Sequence, residues 1–255
     1  MDKVNVLGVK IDKVTIESAT DRICEMLKKS GNHTVFTPNS EIIYAAYKDS
    51  RFCDLINSAD MLTADGIGVV YASKILGNPV PERAGGYDIA CNVIERIAES
   101  GDRLYLFGGK PDVAEMAAEN LKAKYPFLNI VGTRNGYFKP EENDGIISDI
   151  NSSGADIVFV CLGSPKQEEW IFENRDRLSC HVMMGIGGSL DVFAGVAERA
   201  PKSWQNLGLE WLYRLKKEPK RFWRMLALPK FAFTVLLKGR KYPQDTTEEL
   251  QDFNA

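Results

Sequence analysis

Apolar residues along this chain recur with two alternating periods. Consecutive or alternating apolar runs at Val4–Val9, His33–Phe36, Ala59–Ala64, Arg103–Phe107, Ile130–Gly132, Asp156–Leu162 and His181–Ile186 read as short strands. Val14–Ile16 is a candidate partner for the first of them. Between the strands the apolar positions take helical spacing. In Glu17–Lys29 they fall at Ala19, Ile23, Met26 and Leu27, and after Ser40 at Ile42, Ile43, Ala46 and Tyr47. Ser40 reads as the N-cap of that helix, because its hydroxyl can accept from an early unpaired amide. Further helices are expected over Ile67–Leu76, Asp88–Glu99, Val113–Lys124, Glu142–Asn151 and Lys166–Asn174. This alternation predicts a Rossmann-like α/β domain, with a mainly parallel sheet and helices on both faces. Ligands of such sheets bind outside the carboxyl ends of the strands. The residues that follow each strand are therefore the candidates: Thr37 and Asn39; Asp65; Gly108 and Gly109; Gly163, Ser164 and Gln167; Gly187, Gly188 and Asp191.

The pattern changes near residue 199, which predicts an α/β catalytic domain over 1–198 and a C-terminal appendage over 199–255. From Arg199 to Lys241 there are 12 Lys+Arg and 2 acidic residues, a net +10; the rest carries 20 basic and 33 acidic residues, a net −13. Such asymmetry predicts an anionic partner for one end of the molecule. Trp204, Leu207, Leu209, Trp211, Leu212 and Leu215 are interleaved with Arg214, Lys216 and Lys217. Lys220-Arg221-Phe222-Trp223-Arg224 and the apolar Phe231–Leu237 follow. Leucines and aromatics beside basic residues predict helices that lie in the interface of an anionic membrane. A nucleic-acid partner is not expected, since that surface would pair its basic residues with polar ones. The apolar part of the tail could also pack on a second copy, so a homo-oligomer stays open. The polar, acidic stretch Tyr242–Ala255 is expected to be frayed.

Composition narrows the setting. The 255 residues are 44% apolar and 26% charged, ordinary for a globular protein. No apolar run reaches the roughly 18–20 residues of a membrane span. Met1–Lys10 has no basic start followed by an apolar run, so no secretory signal is expected. The five cysteines are scattered and read as reduced thiols of a cytoplasmic protein. The two histidines, His33 and His181, show no zinc-ligand spacing. Gly109-Lys110 lacks the rest of a Walker A loop, and Gly66-x-Gly68 lacks the third glycine of a dinucleotide fingerprint. A nicotinamide oxidoreductase is thereby disfavoured.

Each candidate has two readings on position alone. Asp65 is a general base for a hydroxyl or a helix cap. Thr37 and Asn39 hold a sugar by hydrogen bonds or form a turn. The Gln167 amide meets sugar hydroxyls or is an exposed helical residue. The glycines around Gly187 and Gly188 cradle a phosphate or only allow the turn.

Taken together, several segments resemble the WecG/TagA/CpsF glycosyltransferase family over nearly the whole chain, Val4 to Lys238. They are Thr37-Pro38-Asn39, Ala64-Asp65-Gly66-Ile67-Gly68, Arg83-x-x-Gly86-x-Asp88, Gly163-Ser164-Pro165-Lys166-Gln167-Glu168, Gly185-x-Gly187-Gly188, Arg199-Ala200-Pro201 and Leu207–Arg214. The resemblance is strongest to the TagA-like branch, which makes the linkage unit of wall teichoic acid. It implies transfer of N-acetylmannosamine, or its uronic acid, from a UDP donor to undecaprenyl-diphosphate-linked N-acetylglucosamine. Inversion at the anomeric carbon, no metal and no cofactor are implied as well, with work at the inner face of the cytoplasmic membrane. In that reading Asp65 is the base for the acceptor's 4-hydroxyl. Thr37, Asn39 and Gln167 position the sugars, and Gly187, Gly188 and Asp191 hold the nucleotide. Arg83, Arg214, Arg221 and Arg224 stabilise the leaving diphosphate. The rival outside enzymology is a membrane-associated module that only senses a nucleotide-sugar.

Overall fold

The computed structural model describes residues 2–244, without the side chains of Asn206 and Arg221. The chain opens with an antiparallel hairpin, β1 (Lys3–Val6) and β2 (Val9–Asp12). The expected single strand over Val4–Val9 is broken at Leu7-Gly8, where φ is 54° and 100°. Two successive positive φ values reverse the chain, so Val9–Asp12 rather than Val14–Ile16 becomes the partner. Next come α1 (Ile16–Leu27), β3 (His33–Phe36), α2 (Ser40–Lys48), α3 (Ser50–Asn57), β4 (Met61–Leu62), α4 (Ile67–Ile75) and α5 (Gly86–Ser100). The series continues with β5 (Arg103–Gly108), α6 (Val113–Lys124), β6 (Asn129–Arg134), α7 (Asn143–Ser153), β7 (Ile157–Cys161), α8 (Lys166–Asn174), β8 (Val182–Gly185) and α9 (Ser189–Phe193). Asn39, not Ser40, caps α2: its Oδ1 accepts from the Glu41 and Ile42 amides at 2.9 and 3.0 Å.

β3 to β8 form one parallel sheet in the order β4-β3-β8-β7-β5-β6. Side chains alternate across it and build two cores. Tyr105, Phe107, Val158, Val160 and Met183 pack on the side of α2, α3, α4, α7 and α8. Leu104, Leu106, Phe159, Val182 and Met184 pack on the side of α1, α5, α6 and α9. Burial on both faces explains why β7 is apolar at every position rather than alternating. The chain leaves β5 toward β6 but leaves β7 toward β8, in opposite directions. A crevice therefore opens above the β5/β7 pair, the switch point at which such sheets take ligands.

The appendage contributes α10 (Lys202–Asn206), α11 (Glu210–Lys217), α12 (Phe222–Met225) and α13 (Ala227–Lys238). α13 lies against α2 and α4 and buries Phe231 and Val235 in the first core. Full burial of one such side chain contributes roughly 1.5–3 kcal/mol, so the tail is fastened to the domain. Beyond α13 the Gln244 side chain bonds the Asn5 amide at 3.0 Å and the Asn5 carbonyl at 2.9 Å. Tyr242–Gln244 thus follow the open edge of β1, where fraying was expected; 245–255 lie outside the described residues. Phe222, Trp223, Phe233, Leu236 and Leu237 are exposed, Trp223 at 77%. Among the described residues, no helix is long and apolar enough to cross a membrane.

Candidate active site

β4 ends at Leu62, and the chain that follows is clamped from two sides. The Asp65 amide donates to the Pro38 carbonyl at 3.2 Å, while Ala84 returns beside Ala64 through an amide-to-carbonyl bond of 3.0 Å. The Thr63 hydroxyl donates to the Ala84 carbonyl at 2.7 Å. These bonds set Arg83 next to Asp65, with Nη1 3.6 Å from Oδ1. Gly85 makes the approach possible. A Cβ there would fall 2.6 Å from Arg83 Nη1 and 2.9 Å from Asp65 Oδ1. The cap position of α4 is Gly66 and receives no side-chain bond, so Asp65 is not the helix cap. Its side chain is 33% exposed, open to the cleft. Burial of the rest pushes its pKa up; the nearby Arg83 and Arg214 charges oppose that shift, and Glu210 and Asp88 add to it.

Thr37 and Asn39 stand beside this pair, at the end of β3. The Thr37 hydroxyl donates to the Gly185 carbonyl at 3.3 Å, tying the end of β3 to the end of β8. One strand further, Gln167 is buried and both ends of its amide are engaged. Oε1 accepts from the Gly187 amide at 3.0 Å, and Nε2 donates to Glu168 Oε1 at 2.7 Å. Gln167 therefore shapes the Gly187–Gly188 turn, rather than lying on an exposed helix face. Glu168 is itself buried, its Oε2 has no hydrogen-bond partner among the described residues, and burial pushes its carboxyl pKa up. Asp191 lies in α9 just beyond Gly188, and its carbonyl accepts from the Val196 and Ala197 amides, each at 2.9 Å.

The appendage reaches the same mouth. Arg214 is half exposed and pairs with Glu210 one turn earlier, at 2.8 Å. Arg224 reaches Glu41 in the first turn of α2 at 3.1 Å. It thus sits on the rim next to Asn39. The Arg221 side chain is outside the described residues. The structure gathers Thr37, Asn39, Asp65, Arg83 and Arg214 at one mouth. Gln167, Gly187, Gly188 and Asp191 form the adjoining wall.

Sequence reasoning overlooked three charges and a cavity. Asp88, Arg199 and Glu210 were visible only as motif positions without a role; all three touch this network. An open cavity of about 530 Å³ beside the β5/β7 crevice is lined by Tyr137, Phe138, Lys139, Leu162 and Lys166. Its only sequence signal was the neighbouring Gly163-Ser164-Pro165 turn. Among the described residues, no cluster of three or more His, Cys, Asp or Glu is placed to hold a metal ion.

The model of the glycosyl transferase WecG/TagA/CpsF family matches residues 4–245. The chain is also 38% identical over 202 residues to the N-acetylglucosaminyldiphosphoundecaprenol N-acetyl-beta-D-mannosaminyltransferase of Bacillus subtilis (strain 168), covering 79% of this chain and 78% of that protein. The family model spans nearly the whole chain, and the chain belongs to the WecG/TagA/CpsF family of glycosyltransferases.

Proposed function

We propose that this protein transfers N-acetylmannosamine from UDP-N-acetylmannosamine to the 4-hydroxyl of undecaprenyl-diphosphate-linked N-acetylglucosamine, with inversion, in building the wall teichoic acid linkage unit. The observation that carries the reading is the partly buried Asp65 beside Arg83 at the cleft mouth. An Asp with raised proton affinity suits a base that must take a hydroxyl proton in the transition state. In one displacement, Asp65 takes the proton as the acceptor oxygen bonds to the anomeric carbon. The bond from that carbon to the UDP oxygen breaks, and the electron pair leaves on the diphosphate. Arg83 and the appendage arginines Arg214, Arg221 and Arg224 stabilise that charge without a metal. Thr37 and Asn39 hold the sugars, and the Gly187–Gly188 turn with Asp191 holds the nucleotide, its form maintained by Gln167. The switch-point crevice supports extension of the nucleotide over β5 and β7.

The acceptor's lipid places the reaction at a membrane. The exposed Phe222, Trp223, Phe233, Leu236 and Leu237, set among basic residues, support peripheral docking on the anionic inner face.

The test is UDP release from UDP-N-acetylmannosamine, with and without a lipid-diphosphate-N-acetylglucosamine acceptor, for wild type and Asp65→Ala. The expected result is acceptor-dependent release that falls by about 100-fold or more in the variant. Release only from the uronic-acid donor would reassign the sugar. No release from either donor would leave a nucleotide-sugar-binding module.

A further inference from the structure

Four charged side chains close into a ring beside the Asp65 carboxylate. Arg83 Nη2 meets Asp88 Oδ2 at 2.5 Å. Asp88 also receives both Arg199 nitrogens, Nη1 at 2.5 Å and Nη2 at 2.8 Å. Arg199 Nε lies 3.7 Å from Glu210 Oε1, and Glu210 Oε2 lies 3.7 Å from Arg83 Nη1. The signs alternate around the ring, so its formal charge is zero. Two further charges hang from it: Asp65 on Arg83 and Arg214 on Glu210. Asp88 comes from the first turn of α5, Arg83 from the segment before it, and Arg199 from the chain after α9. Glu210 comes from the first turn of α11 and brings the appendage into the ring.

Arg83 Nη1 is thus shared by two carboxylates, Asp65 and Glu210. The sharing has two physical consequences. With Glu210 in place, Arg83 is not Asp65's alone, so Asp65 keeps more of its proton affinity and is the stronger base. The same carboxylate also fixes Arg214, one turn away, where its charge acts on the cleft.

We infer that Glu210 is a positioning residue: it docks α11 onto Arg83 and Arg199, aims Arg214 at the leaving diphosphate, and shares Arg83 with Asp65. This rests on the reading of Asp65 as the base. Glu210 acts through its three arginines and touches neither substrate.

The experiment uses the full chain with a lipid-diphosphate-N-acetylglucosamine acceptor. It measures kcat/KM against pH for wild type, Asp65→Ala, Glu210→Gln, Arg214→Gln and the double variant, with a thermal melt of each. Asp65 is faced by Arg83 from the segment before α5, Asp88 from α5, and Glu210 and Arg214 from α11. Removing only the Glu210 charge should therefore move the acid limb of the Glu210→Gln profile to lower pH. Its rate at neutral pH should fall about tenfold, the scale of one charged hydrogen bond. The double variant should lose little more than the worse single one, since both substitutions break one unit. Asp65→Ala that stays active would remove the underlying reading and this inference with it. If Asp65→Ala is inactive while Glu210→Gln leaves the acid limb in place, or the two losses are additive, the Glu210 role alone is overturned. A lowered melting temperature without a moved acid limb counts as the same negative result, since a merely structural residue would do that.

Discussion

Asp65 and Arg83 lie 3.6 Å apart at the cleft mouth, yet burial still raises the Asp65 pKa against that charge, and Asp88 and Glu210 share the same guanidinium. The carboxylate's environment is set by burial and by four neighbouring charges rather than by a single ion pair.

The Asp65 pKa is raised in the folded protein, so the protonated form stabilises the fold at low pH. That contribution is lost as pH rises through the folded pKa. Asp65→Asn should therefore melt at or above the wild-type temperature at neutral pH, with the gap closing near about pH 4, the ordinary carboxylate range. Transfer should fall by about 100-fold or more in the same variant. A melting temperature clearly below wild type at neutral pH would contradict a raised Asp65 pKa.

Gly85→Ala tests the fit between backbone and base. The new methyl would sit 2.6 Å from Arg83 Nη1, the mobile end of a long side chain, so the guanidinium should swing away from Asp65. Stability should change by about 1 kcal/mol or less, because no large buried group is lost. Activity should fall by about 10-fold or more, as misplacing a catalytic group commonly does. Unchanged kcat would show that Arg83 does not need its observed position.

Glu168 is a buried carboxyl whose role is read through Gln167. Glu168→Ala leaves the buried Gln167 amide nitrogen without its acceptor, at a cost of about 1–3 kcal/mol. Loosening the Gly187 turn should raise KM for the donor more than it lowers kcat. Because burial raises the Glu168 pKa, the wild-type protein loses stability as pH climbs above the ordinary carboxylate range. Glu168→Gln has no proton to lose and should gain on wild type between acidic and alkaline melts; parallel melting curves would count against it.

The appendage is tested by cutting it away. A chain ending before Gln205 loses Arg214 and Arg224, and also uncovers the α2–α4 surface that Phe231 and Val235 cover. It should fold with a lower melting temperature and be nearly inactive. In the full chain, Phe222→Ala with Trp223→Ala should weaken pelleting with vesicles containing an anionic phospholipid, while raised salt weakens the wild type too. Full activity of the shortened chain would remove the appendage from the reaction.

Much of this molecule is legible along the chain. The limits of α6 and α8 follow from apolar spacing, and the strands β3, β5 and β7 from short apolar runs, because a doubly covered sheet demands such runs. The turn residues at the strand ends locate the site edge, and the motif order points to the family. Backbone reversal at Leu7-Gly8 was hidden, since Val4–Val9 keeps one apolar pattern through the turn.

Local pattern by itself determined most of the elements and the residues at the sheet's carboxyl edge, but not α3 or the hairpin of β1 and β2. It left open whether Asp65 caps a helix and whether Gln167 faces a ligand. Tertiary structure decided the first and gave the Gln167 amide its protein partners, Gly187 and Glu168. Asp65 turns toward Arg83 because Ala84 is bonded back to Ala64, and Gln167 is engaged by Gly187 across two strands. It alone decided that Arg83, Asp88, Arg199 and Glu210 form one ring, since the members are up to 127 positions apart. The physical reason is range: helical and strand periods are set by neighbours a few residues away, whereas charge interacts through space and is arranged only when the distant segments have packed.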